Sequence, residues 1–420
     1  MTDQKHSPSI RHLFIAFIPL WIFLVMYKLG GSLHYSILSP LGEQLMPLWV
    51  VGAIISTSSF VQMILDVPAG YILDRFGYLR FLKISVIAFL FAGIAFMVDL
   101  TILTYMISMV AATVSWLLVP LATNAYVLAH APEERSSRFF AMRDVAISTG
   151  VFLASAILGF VLLLDVKVMG LIITMSMAVA LVVILFAPPD KKLFVKEVKL
   201  ATCDYYVRRN PLGTTLCFLP KLNPASIMLM LLGFSSSVFY AVVWFIVPLV
   251  IAHQVSSGLL SLGLGIFDLA IVVTGFALGK IVERGDKRTY VFFGLLLFSI
   301  SATLIGFDFG WLFLIFGFLA TTGDELTSIS LWSWLHTLSH DEDGKGLLAS
   351  VITLAQDLGW AVGPIFAALA YGWVGPSWAI ASSAIFIFGT WIAYQFLMRY
   401  YPKVSPVHVP SRPSRVRHRG

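Results

Sequence analysis

The chain has 420 residues, of which 59% are apolar and 12% charged, with a net charge of +6. Soluble domains run at roughly 45–50% apolar and about 25% charged, so a soluble fold could not cover this much apolar surface. The positive charge is spread in short clusters along the whole chain, which argues against a nucleic-acid-binding patch.

A membrane-spanning helix needs about 20 mostly apolar residues. Twelve stretches meet that length: 13–35, 47–73, 80–98, 101–129, 145–164, 168–187, 226–252, 257–281, 289–306, 309–335, 347–372 and 377–399. The expected fold class is therefore an all-α integral membrane protein with twelve transmembrane helices. The basic residues fall in alternate gaps. Lys5 and Arg11 precede span 1, Arg75, Arg80 and Lys83 follow span 2, and Arg135, Arg138 and Arg143 precede span 5. Further clusters lie at Lys191 to Lys221, at Lys280 to Arg288, at Lys345 and at Arg399 to Arg419. Of the 28 Lys and Arg, only Lys28 and Lys167 lie outside these gaps. Cationic loops stay cytoplasmic, so both termini are expected inside a cytoplasmic membrane. The first stretch is too long for a signal-peptide core and lacks a small-residue cleavage site. It is expected to serve as an uncleaved first span.

The spans divide six and six. Expected units are an N-terminal bundle at 1–187, a cytoplasmic linker at 188–224, a C-terminal bundle at 225–400 and a basic disordered tail at 401–420. Leu193 to Leu200 within the linker reads either as an amphipathic helix on the inner leaflet or as plain linker. Cys203 and Cys217 fall in the same loop, where a reducing compartment disfavours a disulfide. The tail alternates Pro402, Pro406, Pro410 and Pro413 with arginines, a composition that opposes helix and burial. A weak repeat supports the division. Gly70, Asp74 and Arg75 recur as Gly279, Glu283 and Arg284, at an offset of 209 residues. Internal repeats with a site at the interface between halves mark secondary transporters.

The run Asp66-Val67-Pro68-Ala69-Gly70-Tyr71-Ile72-Leu73-Asp74-Arg75-Phe76-Gly77 resembles the signature loop of the major facilitator superfamily. Its opening is similar to the acidic-x-P-x-G variant of bacterial drug-exporter-like members. Ala131-Pro132-Glu133-Glu134-Arg135 and Gly359-Trp360-Ala361-Val362-Gly363-Pro364 also look typical of that family, as does the six-plus-six topology. The resemblance implies two pseudo-symmetric six-helix bundles, alternating access and a gate built from Asp66, Gly70, Asp74, Arg75, Gly77, Glu283, Arg284 and Asp357. By resemblance, Asp74 would meet the N-terminal end of span 11 and hold one access state. Read without the family, Asp74 and Arg75 at the membrane edge either form such a latch or only fix topology. The chain departs from the family pattern in three places. Tyr78-Leu79 replaces the basic pair after Gly77, span 4 has no arginine, and span 5 has Gly150 and Gly159 but no Gly-Pro pair.

Charges within spans are costly, at about 2.5–3.5 kcal/mol on the mildest scale, and so mark candidate sites. Lys28 lies deep in span 1, and either faces a cavity or snorkels to the outer surface. Asp324 and Glu325 lie mid-span 10. Adjacent helical residues point in different directions, so at least one is expected to face a cavity, where a partly dehydrated carboxylate can carry a proton. Asp268 lies isolated in span 8 among Gly263, Gly265 and Gly275. Asp66 and Asp357 read as gate or interface residues, and Asp144 as part of the cytoplasmic charge cluster with Arg143. Tyr240, Trp332 and Trp360 are the aromatic candidates for a partly apolar cavity; aromatics bind flat or cationic ligands, but Trp also gathers at membrane interfaces.

The expected function is a secondary active transporter of a small solute, coupled to an ion read as the proton, with a preference for efflux of amphipathic compounds. The alternatives are an uptake symporter for a metabolite and a transport-inactive sensor or assembly protein. An enzyme is not expected. No H-E-x-x-H, G-x-S-x-G or G-x-x-x-x-G-K-[ST] pattern appears, and His336 and His340 beside Asp341 give only a weak metal spacing. No cofactor is expected, and the partners are a small-molecule substrate, a coupling ion and the lipid bilayer, with the protein a monomer.

Overall fold

The structure, a computed structural model, describes residues 10–130, 136–187, 223–253, 258–307, 311–338 and 345–400. The proposed linker helix, Cys203, Cys217, Ala131 to Arg135, His340, Asp341 and the tail lie outside the described residues. So do the side chains of Asp74 and Arg75.

Every described element is an α-helix, as a bilayer demands of a chain whose backbone groups must bond within their own segment. The helices are α1 (Ile10–Leu45), α2 (Leu48–Phe76), α3 (Tyr78–Phe96), α4 (Ile102–His130), α5 (Ser136–Val161), α6 (Val166–Leu185), α7 (Pro224–His253), α8 (Gly258–Arg284), α9 (Lys287–Ile305), α10 (Trp311–Leu338) and α11 (Lys345–Tyr400). The shortest, α3 and α9, have 19 residues, or about 28 Å at 1.5 Å per residue.

Two glycines turn the chain where no loop is present. Gly77 (φ 95°) ends α2 and starts α3, its N–H bonded to the Leu73 carbonyl at 3.0 Å. Gly375 (φ 78°), followed by Pro376, breaks α11 into arms at 345–374 and 376–400. These arms are the expected spans 11 and 12. A side chain at either φ would be strained.

The structure corrects three expectations. Helix α1 continues to Leu45 rather than ending near 35, so Lys28 sits at its middle. Helix α5 begins at Ser136 rather than 145, so Arg143 and Asp144 lie within the helix and not in a loop. They are buried there, and the expected cytoplasmic charge cluster does not include them. The reason is local: one Arg-Asp pair depresses apolarity enough to hide the first two turns of the span.

Two faces follow from the contacts. Lys167 Nζ meets Asp99 at 2.9 Å, placing the 3–4 and 5–6 turns together. Both groups are largely exposed and the pair contributes little to stability. Exposed Trp49, Trp311, Trp373 and Trp378 lie at helix ends on the same side, as an interfacial belt requires. The C-terminal ends of α2, α4, α8 and α10 lie on the opposite face. Phe91, Val273 and Ile385 point outward from within their helices, as expected of lipid-facing side chains.

Helix α1 packs on α5 and α6, and α3 on α4 and α6. In the second group α7 packs on α11, and α9 on α10 and α11. The groups meet at two long crossings, α2 with α11 and α5 with α8.

Candidate functional site

Ionisable side chains from both groups converge midway through the helices. Lys28 of α1 and Asp268 of α8 interact electrostatically across the boundary, without closing to a salt bridge. Ser148 of α5 lies beside Asp268. Asp324 of α10 accepts a 3.0 Å hydrogen bond from the Tyr240 hydroxyl of α7. Glu325 turns toward α5 and α8, where its Oε1 lies 3.5 Å from the position a Cβ on Gly275 would take. Glu325 is 4% exposed and Oε1 has no hydrogen-bond partner. Lys28, Asp268 and Asp324 lie among the converging helices and are partly buried.

Arg143 and Asp144 complete this centre, and the sequence reading missed them. Arg143 bonds Asp144 Oδ1 through Nε at 2.8 Å and Nη2 at 2.6 Å, and Asn124 of α4 through Nη1 at 2.5 Å. Its guanidinium lies 5.3 Å from the Phe140 ring centre and 5.6 Å from that of Trp332. Phe140 and Trp332 stack at 5.3 Å across the boundary. The planar guanidinium suits this role because it can bond in its plane and stack on its faces. The only sequence signal was the charged pair itself, at the edge of an apolar run.

Trp332 is 2% exposed, so in this conformation it packs between the groups instead of facing a solute. Trp360 belongs to a separate aromatic column. It meets Tyr35 edge-on at 5.3 Å, and Tyr35 meets Trp116 edge-on at 5.7 Å. Two surface hollows, of about 320 and 480 Å³, lie elsewhere. One lies at the Gly375 break, and the other is an almost wholly apolar groove on α3 and α4 facing lipid. Neither contains the buried charges. We locate the site at the charges, because a polar solute has no partner in an apolar lipid-facing groove.

The gate residues separate into two crossings. At α5–α8, Glu283 Oε2 pairs with Arg138 Nη2 at 2.7 Å. Nearby, the Ser137 hydroxyl donates to that of Ser333 at 2.8 Å. Lys287 Nζ donates to the Ser333 carbonyl at 3.1 Å and the Thr337 hydroxyl at 2.7 Å. Arg284 is exposed and takes no part in the Glu283 ion pair. At α2–α11, Asp66 faces Asp357, and Gly70 is buried in the same helix. Toward the other face, Ser39 Oγ donates to the Phe245 carbonyl at 3.3 Å. The two groups of helices are thus bonded to each other on both sides of the charges.

The sequence model of the family described as Major Facilitator Superfamily matches residues 13–229 and 229–419. Among solved structures, the human organic anion transporter MFSD10 (TETRAN) aligns with a TM-score of 0.69 at 18% identity, over 93% of this chain and all of that one. The E. coli fucose:proton symporter FucP aligns with a TM-score of 0.62 at 13% identity, over 91% of this chain and 99% of that one. A structure of FucP in the outward conformation gives 0.60 at the same identity and coverage. At these identities the likeness is one of fold. A search of curated proteins gives no match.

Proposed function

This chain belongs to the Major Facilitator Superfamily and is a secondary transporter, and from that premise we propose that it couples proton movement to export of a cationic amphipathic solute. The central charges carry the reading. Lys28 and Arg143 face four carboxylates: Asp144, Asp268, Asp324 and Glu325. An unpaired ionised carboxylate in a closed, dry interior is very unfavourable. The excess acids therefore need bound protons or a positively charged solute. Glu325, buried with an unpartnered oxygen, is the proton carrier. Asp324 and Asp268 contact the solute, with Tyr240 and the Tyr35–Trp360 column as apolar wall. Exchange follows directly: the solute's positive charge replaces the protons. The termini and the basic face are assigned to the cytoplasm, the two six-helix units divide at 188–224, and one chain supplies both.

A second reading is transport of an organic anion. It rests on Lys28, a cation within the converging helices that closes no salt bridge, and on the likeness to the human organic anion transporter.

Solid-supported-membrane electrophysiology on proteoliposomes distinguishes the readings. Lipophilic cations, organic anions, sugars and amino acids are perfused in turn. Cation-evoked transients under a proton gradient are expected, lost in Glu325→Gln while solute binding persists. Anion-evoked transients move the assignment to the second reading. Unchanged gradient-driven transport in Glu325→Gln sinks the proton-carrier role.

A further inference from the structure

Two carboxylates lie against each other at the α2–α11 crossing, away from the central charges. Asp66 is 0% exposed, and neither of its oxygens has a hydrogen-bond partner. Asp357, 9% exposed, faces it with an unpartnered Oδ2. Asp66 interacts electrostatically with Asp357.

Among the described side chains of the surrounding helices, the charged groups are engaged elsewhere or lie at the surface, and Tyr35 of α1, whose hydroxyl has no hydrogen-bond partner, packs against Trp116 and Trp360. On α1, Lys28 faces Asp268, His34 bonds Ser108 at 2.7 Å, and Glu43 is exposed. On α3, Arg80 is exposed and Lys83 half-buried. Tyr105 of α4 bonds the Leu38 carbonyl, Tyr126 of α4 packs edge-on against Phe17, and Tyr240 of α7 bonds Asp324. On α9, Lys287 bonds Ser333 and Thr337, while Arg288 lies over Trp334.

Helix packing does not require this pair. The α5–α8 crossing is its pseudo-symmetric counterpart, and the 209-residue offset carries Asp66 to Gly275 and Asp357 to Ser148. There, Gly275 lies against Val145. The two positions that are acids at the α2–α11 crossing are thus Gly and Ser at its counterpart.

Two ionised carboxylates cannot share one dry contact, whereas one proton held between them turns repulsion into a hydrogen bond. We infer that Asp66 and Asp357 form a second proton-binding site, separate from the central one, in which a shared proton holds α2 against α11 and its release parts them. The sign follows from the charges. At low pH the pair holds one proton and the crossing stays closed. At high pH both groups ionise, repel and draw in water, and this face opens. This inference rests on the alternating-access reading but not on the role of Glu325.

The test uses full-length protein in lipid vesicles, with Cys203 and Cys217 replaced by Ser. Spin labels are placed at two exposed positions, Ile72 of α2 and Leu358 of α11. Electron–electron resonance then reads the distance between them across a pH series, without solute or gradient. The separation is expected to grow as pH rises, to lose this dependence in Asp66→Asn/Asp357→Asn, and to keep it in Glu325→Gln. An unchanged pH dependence in the double variant, or none in the parent, overturns the inference. Should the double variant fail to fold, infrared titration of the parent decides. A protonated-carboxyl band that persists in the closed form and is removed by Asp66→Asn supports the site; the same spectrum with and without Asp66→Asn overturns it. Because Glu325→Gln is read separately, failure of the latch and failure of the central coupling give different results.

Discussion

At the residue scale, Arg143 shows how the interior accommodates charge. Its two bonds to Asp144, its bond to Asn124 and its two aromatic faces leave the guanidinium fully engaged. Breaking a buried pair by removing one member costs about 3–5 kcal/mol, because the other charge is left uncompensated. Arg143→Ala is therefore expected to destabilise by that order, read as a lowered thermal midpoint in detergent. Arg143→Lys keeps the charge but cannot hold both oxygen partners while stacking, so an intermediate loss is expected. Equal midpoints for Arg143→Lys and the parent would contradict the stacked, bidentate role. Lys28 and Asp268 behave differently. They interact without closing to a salt bridge, so Lys28→Gln is expected to change solute affinity in counterflow more than thermal stability.

At the element scale, the helices touch where glycines let backbones approach. A Cβ on Gly150 of α5 would lie 2.8 Å from Lys28 Cβ and 3.0 Å from the Leu29 nitrogen of α1. A Cβ on Gly359 of α11 would lie 2.6 Å from Ser237 Cβ and 3.1 Å from the Val238 nitrogen of α7. Each residue in the first set differs from its partner in the second by the same 209 residues that relate Gly70 to Gly279. The repeat seen in the sequence thus extends to the contacts. Gly150→Val and Gly359→Val are each expected to cost about 1–3 kcal/mol through overpacking. Gly372, with nothing within 4 Å of a Cβ, is the control, and Gly372→Val should leave the thermal midpoint unchanged. Gly150→Val also displaces Lys28, so it should impair transport beyond its effect on stability.

At the whole-molecule scale, the two crossings close one face by different chemistry. The α5–α8 side carries the Arg138–Glu283 pair, which is partly exposed and therefore weak. Glu283→Gln should raise the labelling rate of a cysteine at Ser333, and Arg138→Glu with Glu283→Arg should return it toward the parent rate. A double reversal that labels as fast as the single variant would remove this ion pair from the gate.

The sequence by itself determined the spans, their alternation, the paired Gly-Asp-Arg and Gly-Glu-Arg motifs and the family. These follow from local composition, because the bilayer selects each helix on length and apolarity. It also marked Lys28, Asp268, Asp324 and Glu325, since any charge inside a span is conspicuous. Tertiary structure alone decided which charges meet. Lys28 faces Asp268 and Asp66 faces Asp357 because helices far apart in the chain pack together. It also moved Arg143 and Asp144 from an expected loop into the core, and packed Trp332 against Phe140 instead of leaving it open. A charge lowers the apolarity of its neighbourhood whether it lies in a loop or is paired in the interior. Only the partner supplied by another helix separates those two cases.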